Sequence, residues 1–125
     1  YRLIDPEQYA GQAVLVVGGG DSALEAAAAL VPHARRVTLA YRGAAFSRVK
    51  EKNRQALATL QQQGALDLRL ESEVEAIEEA QVRLRGPGGA QRLANDAVIV
   101  CAGGVLPTEL LRAAGIEFAT KRGTA

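Results

Sequence analysis

The segment from Ala13 to Tyr41 constrains the fold more than any other part of the chain. It begins with AVLVV at 13–17, an uninterrupted β-branched run typical of a strand that is buried on both faces. Three glycines follow at 18–20, and the alanine-rich ALEAAAAL at 23–30 then has high helix propensity. RVTLAY at 36–41 supplies a second strand. This order predicts a complete βαβ unit with parallel strands.

The next predicted element is a second helix. The apolar residues Val49, Ala56, Leu57 and Leu60 recur at helical spacing, and the intervening positions are largely polar. Gly64 is placed where a glycine commonly ends a helix. The sequence therefore predicts an amphipathic second helix, whose other face carries Lys50, Lys52, Arg54 and Gln61.

The second half of the chain interrupts the α/β order and then returns to it. LDLRL at 66–70 alternates as a strand, and three short strand-like segments separated by turns fill 73–94, with GPGG at 86–89 as a hairpin turn. AVIVCA at 97–102 predicts another buried parallel strand, and LPTELLRAAG at 106–115 predicts a short helix. The expected fold is α/β, a Rossmann-like three-layer sandwich with a central parallel sheet.

Composition limits the chain to one domain and excludes several classes of protein. With 125 residues, 48% of them hydrophobic, there is room for one core, so we expect a single domain over 1–125. Fifteen basic and fourteen acidic residues give a net charge of +1, which does not favour binding to nucleic acid or to an anionic membrane. No apolar run approaches the roughly 20 residues of a membrane helix. One cysteine excludes an internal disulfide, and we expect a reducing cytoplasm.

The glycine turn carries the predicted chemistry. Gly18, Gly20 and Ala23 form a G-x-G-x-x-A pattern between a predicted strand and a predicted helix, the context of a dinucleotide-binding turn. Gly18 would allow the tight turn, Gly20 would let a pyrophosphate approach the backbone, and Ala23 would let the helix pack closely. The helix N-terminus offers N–H groups to phosphate. Gly19 and Ser22 belong to the same predicted contact surface, whereas the carboxylate of Asp21 should point away or cap the helix.

The end of the second strand indicates which dinucleotide is preferred. An acidic residue about 20 positions past the first glycine would accept hydrogen bonds from the ribose of NAD. Tyr41 stands there instead, Arg42 follows it, and no acid occurs between residues 35 and 50. An arginine beside the ribose suits a 2′-phosphate, so NADPH is predicted over NADH.

Three neighbours of Arg42 have alternative interpretations. Tyr41 either lies against the adenine or covers the edge of the sheet. Arg48 and Lys50 either share the 2′-phosphate or belong to the solvated first turn of the second helix. Arg35 and Arg36, at the other end of the strand, are expected to be structural.

These motifs resemble a known family. VVGGGDSALEAA, VTLAYR and VIVCAGGVLP are similar to the NADPH domain of the thioredoxin-reductase-like pyridine nucleotide-disulfide oxidoreductases, which include bacillithiol-disulfide-reductase-like and ferredoxin-NADP-reductase-like members. The resemblance covers nearly the whole chain. It implies that 73–94 is an inserted antiparallel three-stranded meander. It also implies that Ala102, Gly103 and Gly104 lie close to the nicotinamide half of the cofactor.

The chain departs from that family at two places. Thioredoxin reductases have two adjacent basic residues after the second strand, whereas Gly43 follows Arg42 here, which weakens the 2′-phosphate assignment. They also carry a CxxC before the glycine turn, and this chain has none, so dithiol exchange is not supported. We expect Cys101 to be buried and to pack as a small apolar residue. We expect His33 to be a solvated loop residue.

Two functions of different classes follow from these observations. In the first, the chain is an internal fragment of a larger flavoenzyme, as the absence of Met suggests, and it presents NADPH to FAD bound by a domain outside this chain. In the second, it is a stand-alone dinucleotide-sensing module without turnover. A short-chain dehydrogenase is disfavoured because no Lys follows Tyr41 four residues later. The electron acceptor, and whether the parent protein forms a homodimer, are left open.

Overall fold

Eight strands and two helices make up the described part of the chain. The computed structural model describes residues 5–44 and 49–101 in full and the backbone of 108–111. A 3-10 turn at Pro6–Tyr9 precedes β1 (Ala13–Val17), α1 (Asp21–Leu30), β2 (Arg36–Tyr41), α2 (Glu51–Gln62) and β3 (Asp67–Leu70). The remaining strands are β4 (Glu73–Glu78), β5 (Gln81–Gly86), β6 (Gly89–Ala94), β7 (Ala97–Val100) and β8 (Thr108–Leu111).

The larger sheet has the strand order β3-β2-β1-β7-β8. Its first four strands are parallel, with Val14 of β1 paired to Val37 of β2 on one side and to Ala97 of β7 on the other. The predicted βαβ unit is confirmed, and β1 and β2 have the predicted bounds. Because the strands are parallel, the carboxyl ends of β1, β2 and β7 meet at one edge of the sheet.

Each face of this sheet is covered by a different layer. On one face, strand residues such as Val16 and Leu39 are fully buried with Leu30 of α1 and Leu57 of α2. On the other face, Leu15, Ala40 and Val98 pack against Val82 and Leu84 of β5. Burial on both faces explains why the strands are continuously apolar, and the predicted three-layer arrangement is confirmed.

The second layer is the predicted antiparallel meander, with the order β4-β5-β6. The predicted hairpin is present, since Gly86 pairs with Gly89 across the turn between β5 and β6. A carboxylate on β4 links this strand to β5. Glu75 accepts hydrogen bonds from Nε of Arg83 at 2.9 Å and from Nε of Arg85 at 2.5 Å. The hydrogen bond from Arg85 lowers the pKa of Glu75. No cluster that could hold a metal ion occurs among the described residues.

Two details of the predicted secondary structure are wrong. The predicted helix at 106–115 is contradicted at 108–111, where the backbone forms β8 and pairs antiparallel with β7. Strand pairing satisfies the N–H and C=O groups along the edge of β7, which outweighs local helix propensity. The rest of that predicted helix lies outside the described residues.

The other error concerns the face of α2. Ala56 is exposed, and the helix instead buries Asn53 together with Leu57. The burial of Asn53 could not be predicted from the spacing of apolar residues, because a polar residue on a helix is assigned to the exposed face. The predicted stop is correct, since Gly64 has a positive φ of 74° directly after α2. Neither described helix is long and apolar enough to cross a membrane.

Thr38 generates a test of the packing between the two sheets. Its side chain is 1% exposed on β2, and its hydroxyl has no hydrogen-bond partner among the described residues. A buried hydroxyl without a partner is destabilising by about 1–3 kcal/mol. We expect Thr38→Val to raise the free energy of unfolding by about 1 kcal/mol in urea titrations. Thr38→Ser, which keeps the hydroxyl and loses a methyl group, should lower the free energy of unfolding. A Thr38→Val variant less stable than the native chain would contradict the finding that the Thr38 hydroxyl lacks a partner.

Candidate functional site: the glycine turn and the ends of three strands

Gly18 joins β1 to the glycine turn at the most crowded point of the site. Its φ is 143°, and a Cβ added there would lie 2.2 Å from the carbonyl oxygen of Cys101, which follows β7. The backbone around it is fixed by hydrogen bonds from Gly18 N–H to the Ala40 carbonyl at 3.0 Å and from Cys101 N–H to the Val17 carbonyl at 2.8 Å. Only glycine combines this conformation with this approach.

Gly19 is crowded for a different reason. A Cβ at Gly19 would lie 2.2 Å from Cε1 of Tyr41, and a Cβ at Gly43 would lie 2.6 Å from Cε2 of the same ring. The ring of Tyr41 is therefore flanked by two glycines and lies over the glycine turn. Both interpretations of Tyr41, contact with the adenine and cover of the sheet edge, stay predictions.

Gly20 has neither constraint. Its φ is −100° and its ψ is −174°, an extended conformation open to any residue, and a Cβ added there meets nothing within 4 Å. Gly20 is the N-cap of α1 and provides no side-chain cap. The N–H of Ala23 donates to the Gly20 carbonyl at 3.1 Å. The N–H groups of the two residues before it precede the first hydrogen bond of the helix, where a helix N-terminus can offer donors to an anion.

Ala23 and Ser22 complete the first turn of α1. Ala23 is fully buried, as a close approach of helix and sheet requires. Ser22 is half-buried. Their roles in cofactor binding, like those of the three glycines, remain predictions.

The carboxylate of Asp21 is directed at α2. Its Oδ1 accepts a hydrogen bond from the backbone N–H of Lys50 at 2.8 Å and another from Nδ2 of Asn53 at 2.8 Å. The bond from Asn53, followed by that from Lys50, lowers the pKa of Asp21, so the group is charged at neutral pH. Nothing local in the sequence singles out Asn53, because its partner Asp21 lies 32 positions earlier in the chain and on another helix.

The basic side chains at the two ends of the sheet differ in their partners. At the end where β2 begins, Arg35 pairs with Asp96 at 3.5 Å and Arg36 donates to the Ala94 carbonyl, so both have partners within the chain. At the other end, Arg42 and Lys50 are exposed and pair with no carboxylate in 5–44 or 49–101. Neither cation is therefore held in a salt bridge among the described residues, although the charge of Lys50 acts on the neighbouring carboxylate of Asp21.

Several predicted site residues lie outside the described part of the chain. They are Arg48, Ala102, Gly103 and Gly104. Cys101, directly after β7, is 4% exposed, and burial raises the pKa of its thiol to about 11. A thiol with a raised pKa is a poor nucleophile, as expected for a buried apolar residue. His33 is exposed in a turn, as predicted.

Comparison with known proteins identifies the family. Residues 1–124 match the family described as pyridine nucleotide-disulphide oxidoreductase. The chain belongs to this family. Among relatives, a ferredoxin–NADP reductase of Salinispora tropica is 37% identical over 111 residues, which are 82% of this chain and 32% of that protein. This chain thus spans about a third of the length of that relative.

Solved structures of the same family share the fold. A bacillithiol disulfide reductase from Staphylococcus aureus has a TM-score of 0.76 and 28% identity, covering 79% of this chain and 31% of the other. A thioredoxin reductase from Streptococcus pyogenes has a TM-score of 0.67 and 26% identity, covering 79% and 33%. The predicted resemblance to this group of oxidoreductases is confirmed.

The contrast between Gly18 and Gly20 is directly testable by alanine substitution. Gly18→Ala combines a strained φ with a clash against a backbone carbonyl, and we expect it to lower the free energy of unfolding by at least about 2 kcal/mol. Gly20→Ala meets open space and should lower it by less than about 1 kcal/mol, the difference between glycine and alanine as N-cap. Chemical denaturation followed by circular dichroism measures both. Equal losses would show that the turn has a different geometry.

Proposed function

We propose that this chain is the NADPH-binding domain of a flavin-dependent oxidoreductase. It binds the dinucleotide across the carboxyl ends of β1, β2 and β7 and orients the nicotinamide toward FAD held by another domain of the same protein. The family assignment supports the general class, an NAD(P)-linked oxidoreductase domain. The choice of NADPH and the direction of the nicotinamide are the finer parts of the proposal.

The observation that carries the proposal is the unexplained glycine at position 20. Gly18 and Gly19 are required by contacts within the chain, whereas Gly20 is not required by its φ or by any neighbouring atom. A space that a Cβ would enter, beside the N-terminus of α1, fits the pyrophosphate of a dinucleotide. Backbone N–H groups and the positive end of the helix dipole would hold that anion.

The preference for NADPH rests on the charge beside this turn. Arg42 follows the last residue of β2, and Lys50 precedes α2, so two exposed cations flank the position where the adenosine ribose is expected. No acidic residue lies between residues 35 and 50, the stretch where one would be expected to accept hydrogen bonds from a ribose 2′-hydroxyl. A guanidinium forms charge-assisted hydrogen bonds with phosphate, so we assign Arg42 the main contact and Lys50 a supporting one.

The chain's own contribution to the reaction is binding and orientation. When bound, NADPH supplies a hydride and FAD accepts it. Gly103 and Gly104, which follow β7 in the chain, are proposed to face the nicotinamide. Cys101 is buried, and its raised pKa supports no part in thiol exchange. We place the protein in the cytoplasm, where a single thiol needs no disulfide partner.

Gly20→Val tests the pyrophosphate position. Valine accepts the extended backbone of residue 20, so the domain should stay folded, while the side chain should fill the space above the turn. We expect binding of NADPH and of NADH to fall below detection by calorimetry, because both share the pyrophosphate. A folded variant, judged by circular dichroism, with native affinity would remove the glycine turn from the site.

Arg42→Ala tests the selection of NADPH. Loss of a hydrogen bond to a charged group corresponds to about 1.5–3 kcal/mol, so NADPH affinity should fall roughly tenfold to a hundredfold. NADH affinity should change less than about twofold, since NADH has no 2′-phosphate. The matched control is Arg92→Ala, which removes an exposed arginine on the meander and should leave both affinities unchanged. Equal losses for both cofactors in Arg42→Ala would end the NADPH assignment.

A further inference from the structure

Asp21 presents a problem that the proposed function does not solve. A carboxylate in the first turn of α1 lies beside a turn that is proposed to bind a pyrophosphate, and like charges repel. A serine or asparagine at this position could satisfy the same helix end without that repulsion. The hydrogen bonds of Asp21 therefore need an explanation other than contact with the dinucleotide.

Those hydrogen bonds connect the two helices at their N-terminal ends. Oδ1 of Asp21 accepts from the N–H of Lys50, which is the N-cap of α2, and from the side chain of Asn53 in the first turn of α2. Lys50 has no side-chain cap of its own. Asp21 thus accepts the N–H of the N-cap residue of α2 from another helix, at a place where the positive end of the α2 dipole also favours a negative charge.

Asn53 makes this connection rigid. It is 8% exposed, and its Nδ2 donates to Oδ1 of Asp21 at 2.8 Å and to Oε2 of Glu25 at 2.9 Å. Both donor hydrogens of the amide are used, so its position is fixed by two carboxylates one turn apart on α1. Of the two carboxylates, only that of Asp21 also accepts a hydrogen bond from Lys50.

We propose that Asp21 is a positioning residue that holds Lys50 beside the glycine turn and so increases the preference for a dinucleotide with a 2′-phosphate. Asp21 does not itself contact the cofactor. Its effect passes through the backbone of Lys50, whose side chain then starts at a fixed distance from the turn. The proposal rests on the proposed function, because it assumes that Lys50 supports the 2′-phosphate contact.

The experiment compares variants of the full chain by their dissociation constants for NADPH and for NADH. Asp21→Ala removes the acceptor, whereas Asp21→Asn keeps an oxygen that can accept the Lys50 N–H and removes the charge. Glu25→Ala is the matched control, since it also removes a carboxylate bonded to Asn53 but leaves the Lys50 bond in place. Hydrogen exchange of the Lys50 amide is measured in each variant without ligand.

We expect Asp21→Ala to weaken NADPH binding about tenfold, a change of the size of one charge-assisted contact, and NADH binding less than twofold. Asp21→Asn and Glu25→Ala should stay within about threefold of the native chain for both cofactors, a difference below about 1 kcal/mol. The Lys50 amide should exchange faster only in Asp21→Ala. In the double variant Asp21→Ala/Lys50→Ala, NADPH affinity should equal that of Lys50→Ala alone, because one substitution acts through the other.

Three results would overturn the inference. Equal loss of both cofactors in Asp21→Ala would place Asp21 at the shared pyrophosphate, and tighter binding of both in Asp21→Asn would show that its charge mainly repels the ligand. Additive losses in the double variant would show that Asp21 does not act through Lys50. Failure of the proposed function is a separate result, in which the native chain shows no preference for NADPH while the Lys50 amide still depends on Asp21.

Discussion

The site depends on the contact between Gly18 and the carbonyl of Cys101. The chain leaves β1 at the point where β7 also ends, and the two backbones approach so closely that no Cβ fits between them. This approach, together with the hydrogen bond from Cys101 to Val17, directs the chain from the sheet into α1. The N-terminus of α1 is thereby placed at the carboxyl ends of the parallel strands, the position where open α/β sheets bind ligands.

The rest of the fold protects that edge by covering both faces of the sheet. Parallel strands with apolar residues on both sides require two covering layers, and here the layers differ: two helices on one side and the meander on the other. The meander lies between β3 and β7 in the chain, packs on the face opposite the helices and contributes no strand to the larger sheet. The glycine turn thus remains on the helical side, where Asp21, Lys50 and Asn53 meet.

Local patterns in the sequence predicted the elements well and their mutual contacts poorly. β1 and β2 were predictable because a buried parallel strand and its glycine turn leave a continuous signal. Asn53 was not, since a polar residue on a helix is counted as exposed until the partner carboxylates of α1 are known. β8 was also missed, because its backbone pairs with β7 and the local residues favour a helix. Nothing local in the sequence indicates that the ring of Tyr41 lies between Gly19 and Gly43.

That last contact explains the departure from the family pattern at Gly43. A side chain there would begin 2.6 Å from the ring of Tyr41, so a second basic residue after Arg42 is sterically incompatible with the observed position of the ring. If two cations are to flank the ribose, the second must come from another element. Lys50 at the start of α2 meets this requirement, and its backbone is bonded to the first turn of α1. Gly43 is therefore compatible with the proposed 2′-phosphate contact. The ring of Tyr41 occupies the space that a side chain at position 43 would need, and Lys50 provides the second positive charge in the proposal.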